Sequence, residues 1–253
     1  MLGCAVAGCV TETVGSTPFK QPTKEDLDSA VATYVQIAYQ RLENGSYEDA
    51  MKDIQRALAL KPDSPLANTA LAVAYQYQGE IDKSRNAYKK ALGEDDKFSP
   101  AHLNYGNLLF QQKEFREACK QFEIAASDDF YNMRAAAFHS LGVCLGELGD
   151  LVGSETAFKR SLAVDGKYAP ALLELAEMRY TQQRFPESKE LFDKAVQVER
   201  DAARPLAAKA VWLGIRLARK FDNADAEASY VLFLKNTYPY SQEYLEYKKS
   251  LNP

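Results

Sequence analysis

Histidine is almost missing from this chain: His102 and His139 are the only two in 253 residues, and neither sits in a metal-ligand spacing such as His-Glu-x-x-His. There is no glycine-rich phosphate loop and no Gly-x-Ser-x-Gly elbow, and the acidic pairs Asp95-Asp96 and Asp128-Asp129 fall in turn-prone runs where solvated acids are common. These absences argue against an enzyme, a cofactor, a bound metal and a small-molecule substrate. Charge of one sign is lacking as well. Basic residues number 31 and acidic ones 35, mixed along the chain for a net charge of -4, so no basic stripe is offered to a phosphate backbone and nucleic acid is not an expected partner. No window reaches the roughly 20 apolar residues of a membrane helix. Glycine (13) and proline (10) are scarce, whereas alanine, leucine, glutamate, lysine and glutamine abound, a balance that favours helix over strand.

What is present is a repeat of about 34 residues. Starting the first unit at Val31 places Ile37-Ala38 at its seventh and eighth places, Gly45 and Tyr47 at its turn, and Ala50, Ile54, Ala57-Leu58 and Pro62 beyond. The same order returns with Leu71-Ala72, Gly79, Ser84, Tyr88 and Ala91; with Tyr105-Gly106, Phe115, Ala118, Phe122 and Ala125; and with Leu141-Gly142, Gly149, Ser154 and Phe158. It recurs with Leu175-Ala176, Phe185, Ser188, Phe192 and Ala195, and with Leu213-Gly214, Ala226, Tyr230 and Leu234. Small residues at the eighth, twentieth and twenty-seventh places let two antiparallel helices approach, and large ones at the seventh, eleventh and twenty-fourth fill the space between them. This is the tetratricopeptide pattern. It predicts an all-α, right-handed superhelical solenoid of six repeats over 31–64, 65–98, 99–134, 135–168, 169–206 and 207–240, the third and fifth lengthened by insertions. Residues 1–30 read as a leader and linker, and 241–253 as the capping helix that a solenoid end needs.

Four cysteines remain to be placed. Cys119 and Cys144 fall on neighbouring helices; we favour two buried thiols serving as small apolar fillers, with a disulfide as the alternative if the chain is exported. Near the start, Val6-Ala7-Gly8-Cys9 is similar to the bacterial lipobox, which makes Cys9 the expected lipidation site, although the apolar span before it is short and carries no basic residue.

Function in such solenoids lies on the concave face, lined by the first helix of each unit. The lining places carry Val35, Tyr39 and Leu42 in unit one, Val73 and Tyr77 in unit two, and Leu103, Asn107 and Phe110 in unit three. They continue as His139 and Val143, Leu173 and Tyr180, and Val211 and Ile215. So apolar a row suits a protein ligand. The clamp that holds a C-terminal carboxylate in chaperone-tail receptors is missing, because its places carry Val35, Tyr39, Ala70, Pro100 and Asn104, with no cation among them.

Beyond the general repeat, Asn104-Tyr105-Gly106-Asn107-Leu108-Leu109-Phe110, Phe115-Arg116-Glu117-Ala118, Phe130-Tyr131 and Leu141-Gly142-Val143-Cys144 resemble the type IV pilus biogenesis lipoproteins of the PilF/PilW pilotin family. So do Leu213-Gly214-Ile215-Arg216-Leu217-Ala218-Arg219, Ser229-Tyr230 and the closing run from Tyr238-Pro239 to Tyr244. The resemblance implies an outer-membrane lipoprotein on the periplasmic face, attached to the membrane only through a lipid on Cys9. Val10 after that cysteine is not the aspartate that commonly retains lipoproteins in the inner membrane. The implied partner is the secretin subunit of the pilus, held by the groove of the early units without a cofactor. The alternative is a tetratricopeptide scaffold for another envelope or cytoplasmic complex.

Overall fold

Thirteen α-helices and no strand make up the residues that the computed structural model describes, Gln21 and 23–251. Six antiparallel pairs follow in order: α1 (Lys24–Glu43) with α2 (Tyr47–Leu60), α3 (Pro65–Tyr77) with α4 (Ile81–Glu94), and α5 (Ser99–Gln111) with α6 (Phe115–Ser127). Then come α7 (Arg134–Glu147) with α8 (Leu151–Val164), α9 (Ala169–Thr181) with α10 (Phe185–Asp201), and α11 (Ala208–Lys220) with α12 (Ala224–Thr237), closed by α13 (Gln242–Lys249). Each pair packs on the next, giving the tetratricopeptide solenoid. The first helix starts at Lys24, ahead of Val31, because Thr23 and Asp26 form a reciprocal capping box that satisfies two orphan amides. Cys9 and residues 11–20 of the linker lie outside the described residues.

Every turn within a pair needs one residue in the left-handed region. Gly45, Gly79 and Gly149 supply it with φ of 73°, 73° and 81°, whereas Lys113, Gln183 and Asp222 adopt φ of 62°, 59° and 51° with a side chain attached. The next amide then folds back on the helix, as in Glu114 N–H to Leu109 O at 2.9 Å. Close approach explains the small eighth place: a Cβ added to Gly106 would lie 2.6 Å from the Phe122 ring, and one added to Gly142 would lie 2.6 Å from Phe158.

Two large clusters form the core of the first four repeats. One joins Val31, Val35, Ala38 and Leu42 to Ile54 and to Ala67, Ala70 and Ala74, and the other runs through Tyr88, Leu108, Leu109, Phe122, Phe138 and Cys144. Cys119 on α6 and Cys144 on α7 are joined as a disulfide, with Cα atoms 5.6 Å apart. The favoured reading of two free thiols is thereby corrected: stacking brings the helices on either side of the lengthened loop 128–133 within bonding distance, which a sequence separation of 25 does not reveal. At the far end α13 lays Tyr244 and Tyr247 over Val211, Ile215, Trp212 and Leu234. No described helix is long and apolar enough to cross a membrane.

Candidate protein-binding groove

The first helices of repeats two to four present one continuous concave strip. A cavity of about 330 Å³ is lined by Val73, Gln76, Tyr77, Asn104, Asn107 and Gln111. The next, of about 150 Å³, shares Asn107 and adds Phe110, Phe122, His139, Ser140 and Val143. Apolar side chains and neutral amides alternate along both, and among the described residues no cation or carboxylate apart from His139 lines either, in a chain that is 26% charged. His139 itself lies between the rings of Phe158 and Tyr168, at centroid distances of 5.6 and 5.7 Å, and its burial holds the imidazole below the usual histidine range. The strip is therefore neutral at pH 7. Amides able to donate and accept, spaced between apolar dips, suit an extended or helical peptide whose backbone and side chains are both to be met.

Several expected lining residues turn out to be core. Val35 and Leu42 are each 2% exposed and Leu103 is 5% exposed. The reason is helix spacing: Ala67, Ala70 and Ala74 on α3 are small enough for α1 and α3 to close directly on one another, so the fifth and twelfth places of α1 become a seam instead of a surface. Val211 and Ile215 are fully buried because the closing helix covers them. Tyr39 is half-buried against the first cluster, and desolvation pushes its hydroxyl well above the usual tyrosine range. Of the remaining expected residues, Val73, Tyr77, Asn107, Phe110 and Val143 meet in the two cavities. Leu173 lines a separate cavity further along with His139, while Tyr180 stacks under the Arg216 guanidinium at 4.6 Å from its ring centroid. Sequence reasoning missed Gln76, Gln111 and Ser140 by attending to apolar lining places, and it named Asn104 on the groove face only as a place of the absent carboxylate clamp. His102, by contrast, is structural, bridging the Gln121 side chain at 2.7 Å and the Asp96 carbonyl at 2.9 Å. Among the described residues no group of three or more metal-ligating side chains is found.

Comparison with known proteins agrees with this architecture. The TPR repeat family profile matches residues 38–79 and the tetratricopeptide repeat profile matches residues 69–132. The type IV pilus assembly protein PilF of Pseudomonas aeruginosa is 32% identical over 248 residues, covering 98% of this chain and 95% of PilF. A solved structure of Pseudomonas aeruginosa PilF superposes with a TM-score of 0.79 at 31% identity, over 88% of this chain and 99% of that one. The crystal structure of PilW, a type IV pilus biogenesis factor, superposes with a TM-score of 0.69 at 27% identity, over 85% and 97% of the two chains. With this extent of likeness, the chain belongs to the PilF/PilW family of type IV pilus biogenesis tetratricopeptide proteins.

Proposed function

We propose that this protein is a pilotin: a lipid-anchored, non-catalytic binding protein that holds a segment of the type IV pilus secretin and promotes its delivery to the outer membrane and its assembly into multimers. The observation that carries the reading is the uncharged strip from Val73 and Tyr77 through Asn107 to Phe110 and Val143. It is built on the rigid first helices of three successive repeats, so the receptor surface is preorganised and binding orders little of it. Apolar dips take side chains, amides meet backbone, and the absence of lining charge avoids the cost of desolvating an unpaired ion. Acylation of Cys9 would supply the membrane attachment, and more than one acyl chain is needed for a stable hold.

The test uses immobilised full-length protein and envelope extract of a piliated strain. Retention of the secretin, lost in Tyr77→Asp and Asn107→Asp with helicity by circular dichroism unchanged, is the expected result. Undiminished retention in both variants would remove the groove from the account. Labelling with a radioactive fatty acid in the Cys9→Ser variant tests the anchor separately: label that persists without Cys9 contradicts its assignment.

A further inference from the structure

The solenoid opens between repeats five and six. Helix α10 runs 17 residues, to Asp201, and the chain needs 202–207 to return to α11, with Ala203 in the left-handed region at φ 52°. The inserted Pro205-Leu206, with Ala207 at the cap of α11, does not fill the joint. Instead it walls a cavity of about 350 Å³ whose apolar lining is Pro170, Leu173, Leu206, Ala210 and Leu213. The wall is held from behind, since the Tyr238 hydroxyl donates to the Leu206 carbonyl at 2.8 Å. Three carboxylates, Glu174, Glu177 and Glu199, stand at this cavity against one lining cation, Lys209.

The pairing of these acids is uneven. Glu177 is bound by Arg216, whose guanidinium is itself stacked between Tyr180 and Trp212. Among the described residues, Glu174 and Glu199 are held by Lys209 and Arg204 alone, at 2.8 and 2.7 Å. Those cations are 61% and 60% exposed, whereas the two carboxylates are only 24% and 15% exposed. An ion pair with so solvated a partner contributes little, because the cation loses side-chain freedom and keeps its water on release. The carboxylates are thus fixed and their cations replaceable.

We propose that this cavity is a second docking site, which takes a large apolar side chain of a protein partner with a lysine or arginine beside it. The apolar group displaces water from the leucine-lined floor, and its neighbour replaces Lys209 or Arg204 on Glu174 or Glu199. The volume lies at the low end of ligand pockets, enough for one or two side chains. The inference goes beyond the groove reading and does not depend on it: Val73, Tyr77 and Asn107 do not line this cavity, so either site can fail alone.

The probes are two synthetic hexapeptides, acetyl-Gly-Ser-Phe-Lys-Ser-Gly-amide and its counterpart with glutamate for lysine, titrated into the methyl-labelled full chain. The expected result is shifts concentrated at the methyls of Leu173, Leu206 and Leu213, with the lysine peptide binding at least tenfold more tightly. Ala207→Trp, a substitution at an exposed helix cap, fills the mouth and should abolish those shifts, and Glu174→Lys with Glu199→Lys should reverse the preference. No binding, equal affinity for the two peptides, shifts centred elsewhere, or binding that survives Ala207→Trp would each overturn the proposal.

Discussion

The first four repeats and the last two follow one sequence pattern and are held together differently. In repeats one to four, alanine and glycine at the close-approach places draw successive helices into two large buried clusters, and the disulfide ties repeat three to repeat four. In repeats five and six the core breaks into smaller clusters, of which that around Phe192 joins Ala176, Leu213 and Leu217. Two ion pairs, Glu174 with Lys209 and Glu177 with Arg216, also cross between these two repeats. The four-residue insertion before α11 walls a cavity at its joint, whereas the shorter lengthening at 128–133 leaves α6 and α7 packed and cross-linked, so the length and placement of an insertion decide whether a joint opens. The neutral groove lies on the tightly packed half and the acidic cavity on the looser one.

This contrast can be broken at the twenty-fourth place. Phe122→Ala empties a nearly fully buried site in the larger cluster and should cost about 3–5 kcal/mol, lowering the whole urea transition. The same change at Phe192 should act mainly on repeats five and six and split the transition, with hydrogen exchange of α9–α13 accelerated before that of α1–α8. A single transition for both variants would show that the two halves unfold as one.

Removing the cross-link is the next largest effect. Replacing Cys119 and Cys144 together by serine frees a loop closed over a sequence separation of 25, for which chain entropy alone gives about 3.5 kcal/mol. Thermal melts of the double variant should lose that stability, and the loss should fall on the tightly packed half.

Smaller changes sharpen the comparison in the other direction. Lys113 and Gln183 hold left-handed dihedrals that glycine adopts freely, so Lys113→Gly or Gln183→Gly should each raise stability by up to about 1 kcal/mol, once the greater freedom of glycine in the unfolded chain is deducted. Melting temperatures that fall in both would contradict the reading of these turns.

The smallest effect is one of pH. Burial depresses the His139 pKa, with Glu174 opposing that shift and Lys209 adding to it, so the unfolded chain takes up a proton at higher pH than the folded one. Its neutral form contributes fully above about pH 6.5, the ordinary histidine value, and stability should decline as pH falls below that. His139→Gln should flatten this part of the stability profile, and an unchanged slope would exclude His139 as its source.

Most of the fold was legible because each repeat place has its own steric demand: Gly106 and Gly142 must be small where Phe122 and Phe158 press on them, and turns at Gly45 and Gly79 must reach positive φ. The groove was legible only in part. Helical phase identifies Val73, Tyr77, Asn107, Phe110 and Val143, but phase does not report how near the next helix stands, so Val35, Leu42 and Leu103 read as surface in sequence although the alanines of α3 and the packing of the central cluster close over them. The cavity beside Leu206 was hidden for a related reason. An insertion reads as extra loop in sequence, and whether that loop fills a joint or walls it open is settled only by packing.

The most direct test of the groove is site-specific photocrosslinking in piliated cells, with benzoylphenylalanine placed in the full chain at Tyr77 or at Val152, an exposed residue of α8 that lines neither groove cavity. An adduct with the secretin from Tyr77 and none from Val152 is the result this account predicts. An adduct from Val152 alone, or a Tyr77 adduct with a different protein in its place, would contradict it.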